Sequence, residues 1–321
     1  DYVSGNINIT SANIAVTSKT LANSVVSSRY YDSSNTSYYL TPAGQSSLNT
    51  VKITKGQLRP NSVSFMSKSS LNLFMMVIDG KLYTTCGLAT ALTSSQTGRG
   101  LTATSATTGV CNMKLVNFPG ETGTLVKAGQ AGFTVAYALF SSKNLYTWGY
   151  NATGACGLGH TTAVGVPTLA ATGVIEVYDH YSNNDGVTVA YGARLFIKKD
   201  DNYIYGAGYN AYGQLGDGTT TQQTSFVKLT SWGTTVKGVY PIGSQFAFTF
   251  FQKGDNSIWA TGRNASGQLG TGNTTDVTAA PVDVTTNWGG SSANGSTSVI
   301  KKVIGGSSYA TGTEAGFAGI L

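Results

Sequence analysis

Residues 202–220 read NYIYGAGYNAYGQLGDGTT, and two other stretches say nearly the same thing: NSIWATGRNASGQLGTGNTT at 256–275 and NLYTWGYNATGACGLGH at 144–160. Each passes from strand-forming residues into an aromatic, a Gly, an Asn and a Gly-x-x-Gly pair. Asn151, Asn210 and Asn264 line up, 59 and then 54 residues apart (210 − 151 and 264 − 210). Self-similarity at a period of about 50 residues means one supersecondary unit repeated, and all-β units of that period stack as propeller blades.

Working outward, an apolar run precedes each copy, at 133–140, 195–197 and 246–251. Turn residues follow (Ser141 to Asn144, Lys199 to Asn202, Lys253 to Asn256), so each pair reads as a β-hairpin. A weathered copy lies upstream: an apolar run at 73–78, the turn Asp79-Gly80-Lys81, then residues 82–86, with Cys86 in the place of Gly149, Gly208 and Gly262. Further strand candidates follow each motif, such as 113–116 with 125–128, and 281–284 with 299–304. The expectation is an all-β, β-propeller-like domain over 61–321, built from four-stranded blades of ~50–60 residues. Its repeats run over about 63–130, 131–190, 191–243 and 244–312, with the first strand of a further one at 315–321. Gly-Gln-Leu-Gly, at 213–216 and 267–270, sets an apolar Leu between two residues free to adopt positive φ, so a tight turn can tuck the Leu under the blade. Asn210 and Asn264 are expected to bond their own backbone two residues on. No Lys-Ser/Thr and no helix pattern follows these glycines, which disfavours a phosphate cradle.

The aromatic–Gly–Asn–Gly-Gln-Leu-Gly pattern resembles the repeats of the regulator of chromosome condensation family, over about residues 63–312. The resemblance implies a β-propeller, typically seven-bladed. Family members include guanine-nucleotide exchange factors, chromatin binders and repeat modules on unrelated proteins. The matching residues are scaffold residues, so no exchange activity is carried over with them.

Charged residues are 11% of the chain, less than half the usual share, while Gly numbers 41 and Tyr 18. That composition fits a rigid extracellular or virion surface better than a cytosolic enzyme. The formal charge of +6 is dispersed, its densest points being Lys198-Lys199 and Lys301-Lys302. No basic stripe is legible, so no nucleic-acid partner is expected. The lysine pairs read as solvated faces, or as a weak attraction to anionic glycans or lipids. Cys86, Cys111 and Cys156 cannot all pair within one chain, and none has C-x-x-C spacing. Cys86 and Cys111 are either bridged or free, and Cys156 fills the buried Leu position of its repeat. His160 and His180 lack matching cysteine or carboxylate partners. No catalytic constellation, cofactor site or metal site is expected, and the chain is read as no enzyme. A capsule-cleaving depolymerase would need paired carboxylates in one groove, and most of the 14 acidic residues lie in turns.

Both ends read as cut. No initiator Met or signal peptide is present, and no apolar stretch is long enough for membrane insertion. Residues 315–321 match the strand that opens each blade; either further blades follow or this strand closes the ring, and truncation is the preferred reading. Residues 1–60 are different: residues 6–16 alternate apolar and polar, and SRYYDSSNTSYYLTPAGQSSLNTVKI follows at 28–53. That segment resembles the Tyr-Asp-x-x-Asn-Thr-x-Tyr-Tyr-x-x-Pro element of tailed-bacteriophage fibre and adhesin proteins. The match includes Tyr31, Asp32, Asn35, Thr36, Tyr38, Tyr39, Pro42, Ser47 and Leu48, with Thr41 where an Asp is usual. The resemblance implies a trimeric β-rich attachment segment, a virion location and, as partners, other tail or baseplate proteins. The function expected is a structural and receptor-binding part of a phage tail fibre, presenting its propeller to a host surface glycan or outer-membrane receptor. The alternatives are a surface or secreted bacterial adhesin and, third, a guanine-nucleotide exchange or chromatin-type propeller.

The receptor-binding candidates are the loop aromatics Trp232, Trp288, Tyr178, Tyr181, Tyr209 and Tyr212. A planar ring stacks on a sugar at little entropic cost. Trp232 and Trp288 hold matching places in consecutive repeats, and packing against a neighbouring blade is their other reading. A segment as short as 1–60 cannot bury a core alone. Light scattering on the full chain should therefore report a trimer, and on a chain lacking residues 1–60 a monomer; two monomers, with no contact of the segment to another virion protein, would sink the trimerisation or attachment role.

Overall fold

The computed structural model describes residues 63–65, 73–86, 98, 113–132, 135–179, 193–243, 247–287, 302–305 and 317–320. The chain divides into Asp1–Asn61 and Ser62–Leu321, and all described residues belong to the second unit. The proposed fibre segment lies outside them.

Sheet 1 comprises β1 (Val63–Phe65), β2 (Leu73–Ile78), β3 (Lys81–Cys86) and β4 (Lys114–Leu115). Sheet 2 comprises β5 (Leu125–Ala131), β6 (Val135–Phe140), β7 (Leu145–Gly149) and β8 (Val164–Ala171). Sheet 3 holds β9 (Val174–Tyr178), β10 (Arg194–Lys199), β11 (Ile204–Gly208) and β12 (Gln223–Lys228). Sheet 4 holds β13 (Val236–Ile242), β14 (Phe248–Lys253), β15 (Ile258–Gly262) and β16 (Val277–Asp283). β17 (Lys302–Gly305) pairs with β18 (Phe317–Ile320). Every pairing is antiparallel between strands consecutive in the chain, the blade pattern of a propeller. Among the described residues the helical content is one 3-10 turn, Thr230–Trp232.

In sheets 2, 3 and 4 the second and third strands are largely buried on both faces, which is why they read as continuous apolar runs rather than as alternation. All six residues of β6 and all five of β7 are buried, whereas the fourth strands β8, β12 and β16 are largely open. The hairpins between the middle strands turn through residues with φ above zero: Asp79, Lys143, Asn202 and Asn256. Three of the four are Asn or Asp, the non-glycine residues that adopt this conformation most readily, and the fourth, Lys143, directly precedes Asn144. A bulge recurs just before the glycine that ends β7, β11 and β15, between Thr147/Gly149, Gly206/Gly208 and Ala260/Gly262.

Blade and repeat are out of phase by one strand. β5 falls inside the repeat drawn at 63–130, yet it pairs with β6 and opens sheet 2. β9 and β13 stand in the same relation to sheets 3 and 4. A period fixes the length of a unit but not its starting point; hydrogen bonding sets the latter.

Neighbouring blades are joined by side chains and loops. Arg194 at the start of β10 is fully buried, and its Nη2 donates to the Ile242 and Phe248 carbonyls of sheet 4 at 2.7 and 2.8 Å, with Nη1 on Gly243 O at 3.2 Å. Burial lowers its pKa to about 9. Phe118, in the connection from β4 to β5, meets Phe140, Tyr146 and Trp148 edge-on at 4.9, 5.4 and 5.8 Å. Gly213 shows how closely blades approach: a Cβ there would lie 2.2 Å from Thr278 O on β16, and φ is +71°. Only glycine fits.

Leu215 and Leu269, the central residues of the two Gly-Gln-Leu-Gly turns, are fully buried. Leu269 packs among Ile242, Phe248, Phe250 and Ile258. Leu269→Ala should destabilise the propeller by about 2–4 kcal/mol, measured by equilibrium urea unfolding, because the cavity cannot collapse between close-packed rings.

Candidate functional site

The loop that follows the third strand of sheets 2, 3 and 4 is organised by one side chain. Asn151, Asn210 and Asn264 are fully buried. Each Oδ1 accepts the backbone N–H five residues on, from Cys156, Leu215 or Leu269, at 2.9 Å in all three. Each Nδ2 donates to carbonyls further along: His160 O at 2.7 Å, Thr219 O and Thr221 O at 3.0 Å, Asn273 O at 2.9 Å and Thr275 O at 3.1 Å. The bond expected two residues on is replaced by these longer reaches, because a buried amide must satisfy both of its ends and the returning loop supplies the partners. The backbone closes two consecutive turns beneath, Gly213 N on Asn210 O and Gly216 N on Gly213 O, both at 2.9 Å. Cys156 takes the Leu place as expected; it is buried, and burial pushes its thiol up to about 12.

The residues flanking the Asn differ between blades and reach the surface. Tyr209 and Tyr212 are half-buried with ring centroids 6.4 Å apart, edge to face. Arg263, the counterpart of Tyr209 in the next blade, donates from Nη1 to Tyr212 Oη at 3.0 Å and lies 5.1 Å from that ring. Two rings and a guanidinium from adjacent blades thus form one polar-aromatic platform. It can stack a planar or pyranose face and donate hydrogen bonds to it.

Trp232 is no part of that platform. It is 5% exposed, stacked on Phe251 at 4.1 Å, and its Nε1 donates to Gly216 O at 2.9 Å. It wedges the connection between sheets 3 and 4, as Phe118 does between sheets 1 and 2, and its assignment to receptor contact is corrected to packing. Tyr178, on β9, is half-buried beside the Phe196–Trp232 cluster, and burial, with Glu176 and Tyr240 adding, pushes its hydroxyl up to about 12. It is a wall residue rather than a displayed one. Trp288 and Tyr181 lie outside the described residues.

Two features escaped the sequence reading. Arg263 carries no motif signal, because its partner Tyr212 belongs to the preceding repeat. The second is a set of rings under lysines at the hairpin end: Lys228 Nζ lies 3.7 Å from the Tyr203 centroid, and Lys253 Nζ 3.9 Å from that of Trp259. Its signal is partial: an aromatic recurs three positions before the strand-ending glycine, as Tyr146, Tyr205 and Trp259, and Tyr203 stands outside that pattern. Among the described residues no group of three His, Cys, Asp or Glu stands close enough to hold a metal ion.

Comparison with protein-family models finds no match. Among solved structures, human WBSCR16 is similar with a TM-score of 0.57 at 17% identity, over 76% of this chain and 58% of that one. Prp20p from Saccharomyces cerevisiae, described with its binding to Gsp1p and histones, has a TM-score of 0.49 at 16% identity, over 68% of this chain and 51% of that one. These neighbours are β-propellers like the regulator of chromosome condensation. The likeness is one of fold. The chain spans 58% and 51% of the length of the two chains it matches.

Replacing Trp232 by Ala should cost about 3–5 kcal/mol, and by Phe distinctly less, because the stack on Phe251 survives in the latter. Thermal unfolding of the two variants checks this; an unchanged melting temperature for Trp232→Ala would return the residue to the display surface.

Proposed function

We propose that this chain is a non-catalytic binding propeller and that it serves as the receptor-binding part of a phage tail fibre. One observation carries the binding role. The residues that recur between blades, the Asn, the turn glycines and the Leu or Cys, are scaffold, whereas the positions beside them vary from Tyr209 and Tyr212 to Arg263 and Ser266 and stand part-exposed or exposed. A rigid repeated frame with variable display positions is how repeat proteins build contact surfaces. The setting rests on the fibre-type element at 28–53, which also supports a homotrimer, neighbours in the tail or baseplate, and a host glycan or outer-membrane receptor as target.

A guanine-nucleotide exchange or chromatin-type propeller is the second reading. It is favoured by the repeat resemblance and by the kind of propeller found among the solved neighbours. One experiment separates the two. The purified full chain, fluorescently labelled, should adsorb saturably to a subset of a panel of bacterial strains and leave the release of labelled GDP from Gsp1p unchanged. Accelerated GDP release, or tight binding to histones with no adsorption to any strain, would replace the first reading by the second.

A further inference from the structure

We propose a second binding surface, for an acidic polysaccharide, at the hairpin end of sheets 3 and 4; the proposal rests on the binding role above and names a ligand class for it. In sheet 3 the Lys228 ammonium lies 3.7 Å from the Tyr203 centroid and 6.0 Å from that of Tyr205, and Lys199 lies 5.3 Å from Tyr205. Lys228 also pairs with Asp201 at 2.9 Å, and Tyr205 Oη donates to the same carboxylate at 2.9 Å. In sheet 4 the Lys253 ammonium covers Trp259 at 3.9 Å. The two groups occupy the same end of adjacent blades: Lys198, next to the sheet 3 hairpin, donates to Val236 O, and Val236 pairs with Lys253. Tyr203, Tyr205 and Trp259 are all part-exposed.

The surface offers flat ring faces, ammonium donors and one carboxylate acceptor. A pyranose presents the complement, an apolar C–H face with hydroxyls at its rim. The positions of the lysines select an acidic sugar over a neutral one. Each ring face already holds an ammonium group by cation–π attraction, so a stacking ligand must displace it. A neutral sugar gives nothing in return, whereas a uronic carboxylate takes the displaced ammonium as its counter-ion. Nearby carboxylates are engaged elsewhere: Asp200 faces Lys143 at 3.6 Å, and Asp255 Oδ1 accepts from Ser257. Asp201 favours a sugar over a nucleic acid, because it can accept a sugar hydroxyl whereas a phosphodiester backbone offers it no donor.

The test uses the full chain with polygalacturonate, neutral dextran and an oligothymidylate, read by tryptophan fluorescence and by retention on immobilised ligand. Polygalacturonate should bind saturably and weaken as salt rises. The double substitution Lys228→Gln with Lys253→Gln should weaken it about ten-fold or more, while Lys114→Gln, an exposed lysine on β4 of sheet 1, leaves it unchanged. Lys228 is exposed and Lys253 part-exposed, so the melting temperature is expected to fall by a few degrees at most, and a single cooperative transition shows that the variant folds. Equal binding of dextran, an unaffected double variant, or retention of oligothymidylate alone would each overturn the proposal. Adsorption to bacteria that survives the double substitution removes this surface and leaves the binding propeller standing, whereas a chain that adsorbs to no strain overturns the reading beneath it.

Discussion

The fold depends on a buried carboxamide. An amide has an acceptor at one end and two donors at the other, and taking it out of water is costly unless all are met. At Asn151, Asn210 and Asn264 the chain meets them by wrapping back on itself. Oδ1 holds the start of the loop, at the residue five positions on, while Nδ2 holds its return nine residues on and, in the last two blades, eleven. One side chain thus closes a loop that has no regular ladder of its own, and it sets the apolar residue at position five into the core. Gly-x-x-Gly follows from the same constraint, because both glycines lie at φ near +70° where the chain doubles back.

What joins blade to blade is different in kind. Within a blade, strands share backbone hydrogen bonds; between blades, side chains do most of the work, in forms that vary from one junction to the next. Phe118 wedges the first junction and Trp232 the third, while Arg194 crosses from sheet 3 to the carbonyls of sheet 4. Thr249 and Thr261 of sheet 4 add hydroxyl bonds at 2.7 and 2.8 Å to the Gln214 and Gly213 carbonyls of sheet 3. Such contacts tolerate variety because each only has to fill space and satisfy its own polar atoms. The side-chain contacts therefore left no period in the sequence, whereas the close backbone approach of Gly154 to Thr224 and of Gly213 to Thr278 did, as the first glycine of their Gly-x-x-Gly pairs.

This division bears on function. Residues answerable to the Asn-centred loop have little freedom, while those beside it and at the hairpin ends have much, and there the rings and cations of this chain collect. Tyr212 with Arg263, and Tyr203 with Lys228, are contacts across sequence separations of 51 and 25 residues (263 − 212 and 228 − 203). Motif reading found Tyr209 and Tyr212 because they sit inside the repeat. It missed Arg263 because its partner lies one blade away.

The sequence alone determined the strands, the hairpins and the buried turns, since each is a local device: an apolar run to be covered on both faces, an Asn or Gly where φ must be positive, a Leu or Cys between two glycines. Tertiary structure decided the rest. A period has no origin, so only strand pairing could assign β5, β9 and β13 to the blades they open. Trp232 follows a strand and precedes a glycine, which reads as a loop residue, yet Phe251 and the Gly216 carbonyl lie where its ring and its N–H need them. Whether an aromatic is displayed or buried depends on what the next blade places against it, and adjacency between blades is not written in either stretch of sequence.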